Sequence, residues 1–152
     1  MTARLLHRAA KRAAKAGQVD FAFMHYKTIL VTAPESPYKD DALFAMGEYY
    51  FALSNYDEAE VYFKRYLLTE GTANGKLFAK AYLLKILEMK NSIDDAENLE
   101  EDILGSRNHT FIFRSHKDYK FVSPLGKMHK AIFAIDQVAF YTEGELIAEI
   151  SY

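Results

Sequence analysis

Apolar positions follow helical spacing over the first two-thirds of the chain. In the clearest stretch, apolar or small side chains recur at the i, i+3, i+4, i+7 positions of one helix face: Leu43, Met46, Gly47, Tyr50 and Phe51. Ser54-Asn55 interrupts this stripe, and a second helical segment begins at Asp57, with Glu60 at the spacing of a capping box. The pattern predicts two helices joined by a short turn, a helical hairpin.

The same pattern recurs every 37 residues. Five columns of matched residues share this step: Val19, Tyr56 and Ile93; Asp20, Asp57 and Asp94; Ala22, Ala59 and Ala96; Ile29, Tyr66 and Ile103; Leu30, Leu67 and Leu104. Repetition at a fixed period of this length is typical of stacked supersecondary units. The chain is therefore predicted to contain three helical hairpins, at about 3–36, 40–73 and 77–106. Their ends are marked by Pro34 and Pro37, by Gly71 and Gly75, and by Gly105.

After Gly105 the pattern changes to one typical of strands. β-branched and aromatic residues form four short runs: Thr110–Phe113, Tyr119–Val122, Ala131–Ile135 and Val138–Tyr141. Turn-forming residues punctuate them at His116–Asp118, Ser123–Gly126 and Glu143–Glu145. The chain is predicted to end in a β-hairpin, with one strand near 137–142 and the other near 146–151.

Residues 127–141 admit a second interpretation. Met128, Ile132, Ile135 and Val138 also fall near helical spacing, so the pattern leaves strand and helix open. Because two-stranded pieces are marginal alone in water, we expect residues 107–152 to be a β-rich capping segment packed on the third hairpin. The expected seam consists of Ile103, Leu104, Phe111 and Phe113.

The composition is that of a folded protein. Half of the residues are apolar and 14% are aromatic, which suffices for a sizeable core. The chain has no cysteine, so disulfides, thiolate nucleophiles and cysteine-based zinc sites are excluded. No apolar run approaches the ~20 residues that span a bilayer. The N-terminus also lacks the apolar core of a secretory signal, so we expect a cytoplasmic protein.

Motifs for catalysis or metal binding are not convincing. Gly71-x-x-x-Gly75-Lys76 is one residue too short for a phosphate-binding loop, and Leu77 stands where that loop needs Ser or Thr. The spacing of His109, His116 and His129 matches no zinc signature. No serine lies in a Gly-x-Ser-x-Gly context. We therefore expect a protein that is not an enzyme and that uses no cofactor and no metal.

The charge is small overall but uneven. The net charge is −2, yet residues 1–38 carry six basic groups against two acidic ones, a net of +4. Residues 39–108 carry eight against fourteen, a net of −6. Within the first predicted helix, two adjacent stripes at i, i+4 spacing form a positive face: Arg4, Arg8, Arg12, Lys11 and Lys15. Such a face suits nucleic acid or an acidic surface, and this is kept as an alternative function.

The middle unit carries a family resemblance. Leu43-x-x-Met46-Gly47-x-x-Tyr50, then Tyr56-Asp57-Glu58-Ala59, then Phe63 and Tyr66, resembles a tetratricopeptide repeat. The first unit, with Gly17, Ala22, Tyr26 and Pro34, is similar but weaker, and the third, with Leu83, Leu84, Leu87 and Ala96, is weaker again. The repeat is three residues longer than the usual 34. The resemblance covers about residues 3–106 and implies a mainly α fold, a helical-hairpin α-solenoid followed by the small β-rich segment.

In this family the first helix of each hairpin lines a concave groove that binds a peptide. The ligand-facing positions carried over to this chain are Arg4, His7, Lys11 and Lys15; Asp41, Phe44, Glu48 and Phe51; and Phe78, Ala81, Lys85, Glu88 and Met89. The set has a basic end, an apolar and acidic middle and a mixed far end. A peptide with an acidic end and aliphatic anchors would complement it.

The resemblance thus implies a scaffold or adaptor that binds a protein or peptide partner. The clamp by which some members grip a C-terminal carboxylate is not expected, because its places hold His7, Lys11, Ala45, Phe78 and Tyr82. Three repeats in a chain of this length also resemble small chaperones of secretion systems, although the β-rich tail does not fit them. The terminal repeat or the tail offers a surface for homo-oligomers.

Overall fold

The computed structural model describes residues 1–107 and 116–151, and the described part of the chain contains six helices and four strands. The helices are α1 (Ala3–Lys15), α2 (Val19–Thr32), α3 (Lys39–Ala52), α4 (Tyr56–Leu67), α5 (Ala73–Met89) and α6 (Ile93–Arg107). The strands are β1 (His116–Val122), β2 (Met128–Ala134), β3 (Gln137–Thr142) and β4 (Glu145–Ser151). The predicted strand Thr110–Phe113, with His109, lies outside the described residues.

The chain divides into two compact units. The first consists of Met1–Thr72 together with Val122–Lys127, and the second of Ala73–Phe121 together with Met128–Tyr152. The division between three hairpins at 3–106 and a capping segment at 107–152 stays a prediction from the sequence. The third hairpin, α5 and α6, groups with the strands because α5 packs against β4.

The turns inside the three hairpins share one geometry at the 37-residue step. Gly17, Ser54 and Asn91 all adopt the left-handed backbone, with φ of 75°, 59° and 58°. In each turn, the N–H of the residue that follows the left-handed one donates to the carbonyl five residues before it. The pairs are Gln18 with Ala13 at 2.8 Å, Asn55 with Tyr50 at 2.9 Å, and Ser92 with Leu87 at 2.9 Å. This hydrogen bond is the one that closes a Schellman motif at a helix C-terminus. The period read from the side chains is therefore repeated in the backbone.

Helix starts differ slightly from the sequence prediction. The second helix of the middle hairpin begins at Tyr56, and the cap is Asn55, whose side chain accepts a hydrogen bond from the Glu58 N–H at 3.5 Å. The predicted start at Asp57 was therefore late, because Asn55 satisfies a free N–H of the first turn. Gly75, which was expected to mark the end of the second hairpin, is buried inside α5. The predicted end at Gly75 is therefore late, because this glycine already lies in the first turn of α5.

In the first unit, α1 packs on α2, α2 on α3, and α3 on α4. Small residues allow this close approach: Ala22 and Ala59 are fully buried. A Cβ added at Gly47 would lie 2.9 Å from ring atoms of Phe63, which is closer than van der Waals contact. One apolar cluster joins the first three helices to the segment 122–127: Leu6, Ala10, Ala13, Ala22, Tyr26, Ile29, Ala42, Ala45 and Leu125.

In the second unit the four strands form one sheet in the order β1-β2-β3-β4, with β2–β3 and β3–β4 antiparallel. Along β2, buried and more exposed residues alternate, which is the pattern of a sheet with one covered face. The predicted strands near 137–142 and 146–151 are confirmed by β3 and β4. The helical interpretation of 127–141 is wrong, since β2 and β3 occupy this range and pair Phe133 with Val138.

Two of the three predicted turns occur. Glu143 and Gly144 link β3 to β4 with φ of 51° and 82°, the doubly left-handed conformation of a tight hairpin turn. Ser123–Gly126 also turns, closed by a hydrogen bond from the Gly126 N–H to the Ser123 carbonyl at 2.8 Å. His116–Asp118, by contrast, belongs to strand β1.

An aromatic cluster joins α5 to the sheet. Phe78 is 1% exposed and stacks on Phe121 with ring centroids 5.8 Å apart. The edge of Phe140 meets the same ring at 6.1 Å, and His129 lies between Phe78 and Tyr82. Of the expected seam, Ile103 is buried and Leu104 is half-buried, whereas Phe111 and Phe113 lie outside the described residues.

Candidate functional site

The residues carried over as groove positions fall into different environments. On α1, Arg4, Lys11 and Lys15 are exposed, whereas His7 is half-buried. On α3, Phe51 and Asp41 are half-buried, and Phe44 and Glu48 are completely buried. On α5, Phe78 and Ala81 are buried, Lys85 is half-buried, and Glu88 and Met89 are exposed.

Four of these residues are buried and do not line an open surface, in contrast to the prediction: Phe44, Glu48, Phe78 and Ala81. Phe44 packs edge-on against Phe63 and Tyr66, with centroid distances of 5.4 and 5.3 Å, and is therefore a core ring of the first unit. Phe78 is a core ring of the second unit, because β1 and β3 contribute the rings that cover it. The helices that carry these rings, α3 and α5, have apolar residues on all sides. This is typical of a helix that is covered on more than one side.

The structure does bring together His7 and Asp41 from α1 and α3. The His7 Nε2 and Asp41 Oδ2 atoms are 2.8 Å apart. The His7 ring stacks on Tyr38 at a centroid distance of 4.5 Å and meets the edge of Tyr26 at 6.2 Å. These contacts fix the imidazole between the two helices, beside the buried apolar cluster.

Next to this pair, the chain's own segment 122–127 is bound by side chains of the first three helices. The Ser123 hydroxyl donates a hydrogen bond to the Glu48 carboxylate, and both residues are buried. The Tyr26 hydroxyl donates to the Pro124 carbonyl at 3.1 Å. We call Tyr26, Glu48, Ala14 and the apolar cluster around Leu125 the segment site.

Apolar contact and backbone geometry complete the segment site. Leu125 is 3% exposed and belongs to the apolar cluster of α1, α2 and α3. Gly126 has φ of +85°, and a Cβ at this position would lie 3.4 Å from the Ala14 carbonyl oxygen. A larger residue at position 126 would therefore meet both an unfavourable backbone conformation and the end of α1.

Burial also changes the chemistry of Tyr26. Desolvation raises the pKa of its hydroxyl far above the ordinary value, and the Asp41 carboxylate nearby raises this pKa further. The hydroxyl therefore stays protonated and available as a donor to the Pro124 carbonyl.

The sequence analysis placed Glu48 among the groove residues. It missed the hydrogen bond from Tyr26 to Pro124, and it missed that segment 122–127 packs on the helices. Ser123–Gly126 was predicted only as a turn. A signal was present, since Leu125 is an aliphatic residue at a turn where polar residues are the rule. The helices that bury Leu125 are remote from it in sequence, so the local pattern of residues does not predict them.

Two clefts lie among the described residues that belong to the second unit. One of about 400 Å³ lies on the strands and is lined by Lys120, Met128, His129, Lys130, Ile132, Tyr141 and Gly144. The His129 Nδ1 atom lies 2.8 Å from the Thr142 hydroxyl oxygen, so the imidazole is anchored there. The cleft is mainly apolar with two lysines, and a small anionic ligand is the chemistry it could accept.

The other cleft, of about 240 Å³, lies between α5 and α6 and is acidic. Its lining includes Glu88, Glu97 and Glu100. The pKa of Glu88 is raised, mainly by burial of its carboxyl group. The charge of Lys85 lowers this pKa and the charge of Glu100 raises it. Burial and the neighbouring Glu97 also raise the pKa of Glu100. Across residues 1–107 and 116–151, no group of three metal-ligating side chains is placed to hold an ion.

Two further findings bear on function. Over the described part of the chain, no helix has both the length and the apolar character needed to cross a bilayer. Comparison with protein-family models, with curated proteins and with solved structures found no match to this chain.

Proposed function

We propose that this chain is a non-enzymatic scaffold of tetratricopeptide-like helical hairpins that binds a peptide segment of a partner protein. The observation that carries the proposal is the segment site. Three helices of the first unit hold a six-residue segment by two side-chain hydrogen bonds, to Ser123 and Pro124, and by one buried aliphatic residue, Leu125. Surfaces that recognise peptides use this combination of polar anchors and an apolar pocket.

The repeated turn geometry supports the same proposal. Gly17, Ser54 and Asn91 form equivalent turns at a constant step, as repeat proteins do. Repeat units of this kind present their helices side by side, and binding residues are then taken from several helices. In the first unit, His7 and Asp41 come from different helices and meet beside the segment site.

The experiment is a selection on the full chain. A library of displayed random peptides is selected on the Leu125→Ala chain, in which the chain's own segment fills the site less well, and a chosen peptide is then measured against the same chain with Tyr26→Phe or Glu48→Gln added. We expect each change to weaken binding by about tenfold, as for anchor residues at an interface. Leu53→Ala is the control, because Leu53 is 61% exposed at the end of α3. Equal binding to all four chains, or the selection of no peptide, would refute the proposal.

A second candidate is binding of nucleic acid or an acidic surface through α1. The supporting observation is that its five basic residues (Arg4, Arg8, Lys11, Arg12 and Lys15) are all exposed, and none pairs with an acidic group among the described residues. Binding of a single-stranded oligonucleotide should then fall steeply with salt. Arg8→Ala should reduce the slope of log K against log salt by about one if a phosphate contact is lost. A flat salt dependence excludes this function.

A further inference from the structure

The segment 122–127 is a turn that its own backbone closes. The Ser123 N–H donates to the Lys127 carbonyl at 2.9 Å, and the Gly126 N–H donates to the Ser123 carbonyl at 2.8 Å. The Lys127 N–H donates to the Ser123 hydroxyl oxygen at 3.1 Å. Serine, proline and glycine occupy the first, second and fourth places of this turn, which are the places where type I turns favour them. The contacts with the helices are therefore additional to those that form the turn.

Each residue of the turn meets a different requirement of the segment site. A hydroxyl is needed at position 123 to donate to the buried Glu48 carboxylate. A carbonyl held in place by proline accepts from Tyr26, an aliphatic side chain fills the cluster at position 125, and glycine avoids the end of α1. The site therefore specifies a sequence of the form Ser/Thr-Pro-aliphatic-Gly.

We propose that segment 122–127 is a built-in competitor, and that the partner binds through a turn of the same Ser/Thr-Pro-aliphatic-Gly chemistry. This inference rests on the proposed function, and it names both the partner chemistry and its regulation. Because the resident segment belongs to the same chain, it is present at a high effective concentration. A partner gains access only in the fraction of molecules whose site is open, and its apparent affinity is reduced by that fraction.

This competition has an unusual consequence for mutations. Weakening the resident segment raises the fraction of molecules whose site is open and so strengthens partner binding. A change in the helices that form the site weakens the resident segment and the partner alike, so its two effects on partner binding oppose each other. A segment that only stabilises the fold would give no gain, because weakening it would destabilise the helices instead of leaving a folded, open site. The sign of the effect of a mutation at Leu125 therefore separates the two roles.

The test uses the full chain and a labelled peptide that copies residues 119–128, with binding followed by fluorescence anisotropy. We expect the Leu125→Ala chain to bind this peptide at least about tenfold more tightly than the wild type does, because its own segment competes less. Leu53→Ala is the matched control and should equal the wild type. A peptide with alanine at its own leucine should lose about tenfold in affinity for the Leu125→Ala chain.

Equal binding of the peptide by the Leu125→Ala and wild-type chains would overturn the proposal. So would binding to the Leu125→Ala chain that does not depend on the leucine of the peptide. If Leu125→Ala prevents folding, as judged by circular dichroism, Ser123→Ala replaces it, since it removes one hydroxyl. The expected gain is then about two- to tenfold, and equal affinity overturns the proposal. If peptides selected from the library bind but the 119–128 peptide does not, this inference fails alone, whereas failure of both experiments removes the proposed function.

Discussion

At the scale of single residues, Tyr26 links the apolar cluster to the Pro124 carbonyl, and its raised pKa makes a prediction about alkaline pH. The unfolded chain releases this proton near the ordinary pKa of 10.0, whereas the folded chain retains it to higher pH. Above this pH the folded state binds more protons than the unfolded state, so stability falls as pH rises. The contribution is fully present below about pH 10 and is lost above it.

Tyr26→Phe should therefore make the free energy of unfolding less dependent on pH above about pH 10. At neutral pH the same change should cost about 1–2 kcal/mol, because the Pro124 carbonyl loses its donor. Denaturant unfolding measured between about pH 8 and 11 tests both expectations. Some slope will remain, since Tyr49, Tyr50 and Tyr66 also have raised pKa values. Parallel pH profiles for the two proteins would contradict the assignment.

Gly47 is the second residue with a specific role. Its missing side chain lets Phe63 approach, and that ring is fully buried and held edge-on against Phe44. Gly47→Ala should cost about 1–3 kcal/mol despite the better helix propensity of alanine, because the ring has little room to move. Gly105 is the control, since a Cβ there meets no described atom within 4 Å. Gly105→Ala should stabilise by about 0.4–1 kcal/mol, and thermal unfolding of both variants decides whether the signs differ.

At the scale of elements, α3 shows how one helix combines core and surface. Its residues from Ala42 to Glu48 are all buried, whereas Phe51 near its end is half-buried against Tyr56. A helix packed between neighbours on several sides loses the amphipathic stripe that identifies an open face. This is why Phe44, which the tetratricopeptide resemblance assigned to a groove, is buried in the structure.

The two aromatic rings of α3 should accordingly respond differently to truncation. Phe44→Ala should cost about 3–5 kcal/mol, because a fully buried ring leaves a cavity among Phe63 and Tyr66. Phe51→Ala should cost only about 1 kcal/mol, the typical value for a point mutation outside the core. Chemical denaturation of the two variants provides the comparison. If both changes lowered the free energy of unfolding by a similar small amount, Phe44 would not be a core residue.

At the scale of the whole molecule, the two units are not consecutive pieces of the chain. The first unit takes residues 122–127 from between two strands of the second. Replacing Ser123–Gly126 by a Gly/Ser sequence of equal length should destabilise the first unit by about 3–5 kcal/mol. This sum covers the burial of a leucine and two hydrogen bonds to the helices. Amide hydrogen exchange should show the loss in α1, α2 and α3.

The amides shared by β3 and β4 provide the internal reference for that experiment. Their ladder pairs Val138 with Ile150 and lies wholly in the second unit. We expect their protection to change less than that of the first three helices. A uniform loss along the chain would show that the segment stabilises no particular unit.

The sequence by itself determined the local structure and its repetition. Three helical hairpins, their 37-residue step and the turn at Ser54-Asn55 follow from periodicity and from turn chemistry, which depend on neighbouring residues. Over residues 127–141 periodicity left strand and helix open, and the pairing of β2 with β3 decided for strand. The tetratricopeptide resemblance and the binding function remain predictions.

Only the tertiary structure decided which elements cover one another. The sheet covers Phe78 on α5, Phe63 and Tyr66 cover Phe44, and the helices of the first unit bury Leu125. Helical and strand periods identify which side chains share a face, but the hydrophobic effect is non-directional and does not specify the covering partner. That choice depends on contacts such as Tyr26 with Pro124, which are remote in sequence and become neighbours only in the fold.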